Sequence, residues 1–223
     1  MTRVAIVHEC FSTYAGSEKV VEQMLQALPE AELFALANFM KSNPPAFMNG
    51  REVTTTFLER LPFAKRAYRS YLPLMPMAIE QLDVLEADLV VSSQHCVSHG
   101  VLCRPDQVHI SYVHSPVRYA WDLQFEYLRQ ANLHWGLKSM LARMILHYIR
   151  IWDRAAADRV DLFVANSRFI ASRIRRCYRR EAEVIYPPVA VKDFELQEQK
   201  EDFYLVASRM VPYKRMGDVV EAF

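Results

Sequence analysis

Short, unbroken apolar runs recur along this chain, and helical patterns fill the stretches between them. The runs are Val4-Ala-Ile-Val7, Asp88-Leu-Val-Val-Ser-Ser93, His109-Ile-Ser-Tyr-Val-His114, Asp161-Leu-Phe-Val-Ala-Asn166 and Glu183-Val-Ile-Tyr186, with weaker candidates at Glu32 to Leu36 and Val53 to Thr55. None alternates cleanly between apolar and polar residues, which is how a strand covered on both faces reads. Strands that alternate with helices must be joined by crossovers and so run parallel. The expected fold is therefore α/β, a Rossmann-like, doubly wound parallel sheet.

The helices are read from spacing. Val20, Val21, Met24, Leu25 and Leu28 share one face of a helix that starts near Ser17. A second helix is expected from Trp121 to Gln130, with Asp122 as its cap. The longest candidate is Gly136 to Asp158, with Leu137, Met140, Leu141, Met144, Ile145, Tyr148 and Trp152 as the buried face. Arg143, His147, Arg150 and Arg154 would then form a solvated stripe. Ser167 is placed to cap a helix running to Tyr178.

Composition narrows the function. Net charge is +1, so no chain-wide field recruits nucleic acid, and no nucleic-acid partner is expected. The four cysteines, Cys10, Cys96, Cys103 and Cys177, form no Cys-x-x-Cys pair and read as buried free thiols of a reducing cytoplasm. No run approaches the roughly 20 apolar residues of a spanning helix. The N-terminus reads as a strand, not a signal peptide. A cytoplasmic protein is expected, with peripheral contact at the inner face of a membrane through Leu61 to Met75. There Phe63, Tyr68, Tyr71 and Leu72 interleave with Lys65, Arg66 and Arg69.

Pro187-Pro188 and the charged run Glu195-Leu-Gln-Glu-Gln-Lys-Glu-Asp202 mark a boundary. Residues 1–190 read as one domain, 191–202 as a linker, and 203–223 as the strand, loop and helix start of a second, incomplete domain.

Ligands of an open α/β sheet bind outside the carboxyl ends of its strands. The loop after the first strand offers Tyr14-Ala-Gly-Ser-Glu18. Gly16 lets a ligand approach the backbone, and the helix N-terminus favours an anion. His114 ends a strand, with Arg118 and Tyr119 close behind, and can meet a sugar hydroxyl. Asn166 ends another strand, where it either fixes the turn or touches a ligand. Arg209 and Lys214 lie between the last apolar run and the last helix start, a pair suited to a diphosphate. His95 and His99 have a four-residue spacing but no third ligand, so no metal is expected.

Several of these segments together resemble the retaining glycosyltransferases of family 4. They are Tyr14-Ala-Gly-Ser-Glu18, Tyr112-Val-His-Ser-Pro116, Tyr119-Ala-Trp-Asp122, Val164-Ala-Asn-Ser-Arg-Phe169, Val184-Ile-Tyr-Pro-Pro-Val189 and Ala207-Ser-Arg-Met-Val-Pro-Tyr-Lys214. The subfamily resemblance is to bacterial polysaccharide and O-antigen mannosyltransferases. It implies a GT-B fold of two facing Rossmann-like domains, a nucleotide-sugar donor, a glycan or lipid-linked acceptor, and no cofactor or metal. By the same resemblance Arg209 and Lys214 neutralise the donor diphosphate, Gly16 faces it across the cleft, and His114 lies by the transferred sugar as the catalytic residue. Arg118, Tyr119 and Asn166 are candidate acceptor or sugar contacts.

This chain departs from the family pattern at Ala15 and Ser208, where glycine is usual, and the family's paired-glutamate region would lie beyond Phe223. Little activity is expected from these 223 residues alone. Two other readings compete: a non-catalytic module binding acceptor or membrane, and a nucleotide-dependent dehydrogenase, disfavoured because the Gly-x-Gly-x-x-Gly loop is missing.

Overall fold

The structure, a computed structural model, describes residues 2–208, 210 and 214–223. Seven parallel strands form one sheet in the order β3-β2-β1-β4-β5-β6-β7. They are β1 (Val4–Phe11), β2 (Glu32–Asn38), β3 (Val53–Thr55), β4 (Leu89–Gln94), β5 (Val108–Val113), β6 (Leu162–Ala165) and β7 (Glu183–Val184). The helices are α1 (Gly16–Ala27), α2 (Ala64–Ala67), α3 (Met75–Ile79), α4 (Gln124–Gln130), α5 (Leu137–Ala157), α6 (Arg168–Tyr178) and α7 (Met216–Glu221). This is the α/β, Rossmann-like architecture expected from the alternation.

The pleat sorts the apolar residues onto two faces. Ala5, Val7, Phe34, Leu36 and Val90 join Met75, Ala78 and Ile79 of α3 in one core. Ile6, Leu33, Ala35 and Val91 join Val21 and Leu25 of α1 in the other. A sheet with both faces covered needs unbroken apolar strands, and this is why those runs were legible. A third core, around Val113, Phe163, Ile174 and Tyr178, seats α6.

The strand order reverses between β1 and β4. β1 leads outward to β2 and β3 on one side, while β4 leads to β5, β6 and β7 on the other. Register there sets Val7 opposite Ser92 and His8 opposite Ser93. Ser93 in turn lies opposite Tyr112 of β5.

Three expectations need correction. First, β1 continues through His8, Glu9 and Cys10 to Phe11, where a loop was expected from Phe11 onward. Second, α4 begins at Gln124, not Trp121. Asp122 does not cap it but forms an ion pair with Arg173 of α6. The residues ahead of α4 close as turns instead, with Trp121 N–H donating to Val117 and Arg118.

Third, α5 packs by a different face from the one its large residues marked. Ser139, Leu146, Ile149, Asp153, Ala156 and Ala157 are buried, whereas Leu137, Met140, Leu141, Met144 and Tyr148 face outward. Small residues let α5 approach closely, and the polar Asp153 finds partners inside. Trp121 Nε1 donates to Asp153 Oδ2 at 2.7 Å, and the Tyr178 hydroxyl donates to Oδ1 at 3.1 Å. Burial pushes the Asp153 carboxyl up to about 7, against the pull of those two donors. Beside it, Trp152 lies flat on Gly100. A methyl built on that glycine would sit 2.2 Å from the indole.

Residues 203–208, expected as a strand, are exposed and pair with no strand among the described residues. An isolated strand has no ladder to join and gains nothing from extension. The helix start expected after it is present as α7.

Candidate active site

The crevice at the carboxyl ends of β1, β4 and β5 is the place where such sheets take ligands. The structure brings four side chains together there in one hydrogen-bonded line. Glu18 Oε1 lies 3.4 Å from His8 Nε2. His8 Nδ1 lies 3.1 Å from Ser93 Oγ. Ser93 Oγ lies 2.9 Å from His114 Nε2. His8, Ser93 and Glu18 are buried, and His114 is half-buried at the open end.

Each member is placed by its element. His8 and Ser93 face each other because the β1–β4 register pairs them. Glu18 sits in the first turn of α1, where an acid is favoured by the helix dipole. Its other oxygen, Oε2, accepts from the Ala15 N–H at 3.1 Å and from Ser17 Oγ at 2.9 Å. Ala15 has no side-chain acceptor to return the bond, so only the reverse half of a capping box is made. Burial raises the Glu18 pKa, but His8, the local backbone and Ser17 outweigh it and hold the group below the ordinary carboxylate range.

The line has a direction. Glu18 only accepts, so His8 Nε2–H donates to it. In the arrangement where His8 Nδ1 accepts from the Ser93 hydroxyl, Ser93 Oγ accepts from His114 Nε2–H. His114 is then the Nε2–H tautomer, and its Nδ1 is left as an acceptor. Burial pushes the His114 pKa down to about 3, and the neighbouring His95 and His8 add to the fall. At neutral pH His114 is therefore not an imidazolium and is not placed to act as a general acid. It can accept a hydrogen bond from a hydroxyl and hold it in place.

A second carboxylate shapes the wall of the crevice. Glu9 projects from β1 to the opposite face of the sheet. Its Oε1 accepts from four consecutive backbone N–H groups: His95 at 3.2 Å, Cys96 at 2.7 Å, Val97 at 2.7 Å and Ser98 at 2.9 Å. Such a run of donors forms a small anion nest, here filled by the chain's own side chain. Gln94 adds to it, accepting from Ser98 Oγ and the His99 N–H. Both carboxylates are thus buried, Glu18 bonded through both oxygens and Glu9 through Oε1, while Glu9 Oε2 is enclosed without a partner. Neither stands free as half of the carboxylate pair that a glycoside hydrolase needs.

The sequence candidates fall into three groups. His114 follows the carboxyl end of β5, and Gly16 opens α1 after β1. A methyl built on Gly16 meets nothing within 4 Å, so the space in front of it is open to a ligand. Tyr119 and Asn166 serve the frame. The Tyr119 hydroxyl lies 2.8 Å from Cys96 Sγ, and Asn166 Nδ2 donates to the His114 carbonyl at 3.1 Å. Arg118, just ahead of Tyr119 in sequence, is half-buried, and its charge reaches His95. Lys214 is exposed at the other end of the chain, and Arg209 lies outside the described residues.

The pair His95 and His99 is split. His95 is exposed, with its ring centroid 6.1 Å from that of His8, while His99 is buried and faces Asp153. Among the described residues no group of three or more His, Cys, Asp or Glu is placed to hold a metal.

Of the segment Leu61 to Met75, the side chains of Leu61, Tyr68, Tyr71 and Leu72 pack against the core, and Phe63 stands outside.

Sequence reasoning missed His8, Glu9, Glu18 and Ser93. The available signal was polarity inside an apolar strand. His8-Glu9 directly follows Val4–Val7, and Ser92-Ser93-Gln94 follows the apolar Leu89-Val-Val91 of β4.

Among solved structures, the chain is similar to Anabaena HepE, which was crystallised in complex with UDP. The TM-score is 0.50 at 12% sequence identity, a likeness of fold. The match covers 85% of this chain and 45% of HepE, so the chain spans less than half of that protein's length. No curated protein matches it. The model of Glycosyltransferase Family 4 matches residues 14–193, which include the first loop, His114 and Asn166. By that match over most of its length, the chain belongs to Glycosyltransferase Family 4.

Proposed function

We propose that this chain is the acceptor-side part of a retaining glycosyltransferase, which moves a hexose from a nucleoside diphosphate to a glycan or lipid-linked acceptor. The observation that carries the reading is His114. It is held as a neutral acceptor at the mouth of the switch-point crevice by Ser93, His8 and Glu18. That geometry suits orientation of a sugar hydroxyl and not proton donation. Family membership supports the transferase class, and the UDP in HepE supports a nucleotide donor.

In the proposed reaction the acceptor hydroxyl attacks the anomeric carbon on the face the diphosphate leaves. The C–O bond to phosphate breaks as the new glycosidic bond forms. The acceptor's proton passes to the departing phosphate oxygen, so configuration is retained. Arg209 and Lys214 would neutralise the growing charge on the diphosphate, with Gly16 leaving room for it. Residues 203–223 would open the donor domain that holds these two. The proposed sugar is mannose, on the resemblance of the sequence segments to mannosyltransferases. With two cationic side chains on the diphosphate, activity should persist in a chelator.

The test is sugar transfer by the full-length protein from a panel of labelled GDP- and UDP-hexoses. Anomeric configuration is read from the product by NMR. His114→Ala should lower kcat about 100-fold, as loss of one positioned polar group does. Absence of transfer from every donor would overturn the reading, and an inverted product would overturn retention.

A further inference from the structure

The outward face of α5 is an apolar feature that the crevice does not use. Leu137, Leu141, Met144, Tyr148 and Ile151 fall at alternating four- and three-residue steps, so they form one continuous stripe along the helix. Met140 widens it, and Trp135 stands just ahead of it. These seven side chains are 45–89% exposed. The stripe lies opposite Leu146, Ile149, Asp153 and Ala157, which seat the helix on the rest of the protein. At about 1.5 Å per residue, the stripe from Leu137 to Ile151 is roughly 21 Å long on this helix. A patch of this kind on a soluble surface marks an interaction site.

Charge decides what kind of surface it meets. From Tyr127 to Trp152 the sequence has no aspartate or glutamate, but it carries Arg129, Lys138, Arg143 and Arg150 with His134 and His147. Arg150 is turned inward, donating to the Ala120 carbonyl at 2.6 Å, and does not count. Arg143 is held at the flank of the stripe, 5.9 Å over the Phe125 ring and 3.3 Å from Ser139 Oγ. Next to it a groove of about 660 Å³ opens between the His134–Gly136 turn and the Ser139–His147 stretch of α5. An apolar face, a cationic flank and an exposed tryptophan at one end describe a helix that lies in a lipid–water interface.

We infer that α5 and Trp135 form a docking surface for an anionic lipid bilayer, with the helix flat on the membrane. The apolar stripe would enter the acyl boundary while Lys138 and Arg143 meet lipid phosphates. A second copy of this chain is the less suitable occupant. It would bring Lys138, Arg143 and His147 of both copies together, with no acid in that stretch to offset them. The surface is separate from the crevice, so the inference does not depend on how the crevice is read.

The test is flotation with vesicles. The protein should float with phosphatidylglycerol–phosphatidylethanolamine vesicles, stay behind with pure phosphatidylcholine, and be released by high salt. Trp121 and Trp152 are hydrogen-bonded inside, to Asp153 and Glu80. A blue shift of fluorescence on binding should therefore come from Trp135 and vanish in Trp135→Phe. The double substitution Leu141→Glu and Met144→Glu, on the exposed face, should cut binding at least tenfold with an unchanged far-ultraviolet spectrum. Should that variant prove misfolded, the Trp135→Phe comparison alone decides.

Wild-type protein that never floats with anionic vesicles removes the proposal. So does equal binding by a folded double variant, or a blue shift that survives in Trp135→Phe. A concentration-dependent dimer in light scattering, lost in the double variant, would assign the face to a second copy instead. Transfer to a water-soluble acceptor is unaffected by this surface, so its loss or retention reports on the proposed enzyme activity alone.

Discussion

Removing the Glu9 carboxylate should loosen the wall of the crevice more than any exposed charge could. Glu9→Ala takes the acceptor from four N–H groups at once, and the two shortest contacts, to Cys96 and Val97, are both 2.7 Å. A hydrogen bond to a charged group contributes about 1.5–3 kcal/mol, and a buried donor left alone costs about 1–3 kcal/mol. One oxygen cannot serve four donors equally, so the two short contacts carry most of the effect. The desolvation cost of the carboxylate disappears with it and offsets part of the loss.

The net expectation is about 3 kcal/mol of lost stability, or a fall in Tm of about 6–12 °C for a chain of this size. Glu9→Gln keeps an acceptor oxygen of the same shape and should lose about half as much. Urea titration followed by circular dichroism gives the energies. Amide exchange gives the location: Cys96 and Val97 should lose protection before the β4 core does. A Glu9→Ala protein within about 1 kcal/mol of wild type, or one whose 96 and 97 amides stay protected, would refute the reasoning.

Two further outcomes follow from the packing of α5. Gly100→Ala would drive a methyl into the Trp152 indole and should cost about 1–3 kcal/mol, the usual penalty of overpacking, with a shifted tryptophan emission; normal stability in urea would show that the ring moves aside freely. Asp153 holds its proton more tightly folded, at about 7, than an unfolded aspartate does. Its contribution is therefore full at low pH and is lost as pH rises through about 7. Asp153→Asn keeps the Trp121 and Tyr178 partners, so it should gain on wild type between pH 5 and pH 8 in thermal melts; a difference that does not change with pH would sink that account.

The sheet could be read in the chain because both of its faces are covered. Val4–Val7 and Val164-Ala165 stand out as apolar runs whatever their neighbours. The end of β1 could not be read, because His8 and Glu9 look like loop residues until β4 is placed beside them. His8 meets Ser93 only through a pairing of residues 85 apart, and no local pattern encodes register between such distant strands. His114 and Gly16 were legible as candidates because the sheet rule points to strand ends. α5 was misread for another reason. Periodicity shows that an apolar stripe exists but not that it faces inward, and this helix has two such faces. The buried one mixes Leu146 and Ile149 with small and polar residues, Ser139, Asp153, Ala156 and Ala157, which spacing of large side chains does not single out.

The strand order also has a consequence in time. β1 is made first, yet its inner neighbour β4 is 85 positions later, with Val4 paired to Leu89. At about 5–20 residues per second of synthesis, the inner edge of β1 waits roughly 4–17 s for its partner. In that interval β1 and β2 can pair, but the inner edge, with Ala5, Ile6 and Val7, stays open to other chains. The seam under His8 and Ser93 cannot close until β4 is made, and the seams to β5, β6 and β7 follow it. The crevice thus waits for β4 and for His114 after β5, and substitutions that slow β4 would be felt first as failure to mature.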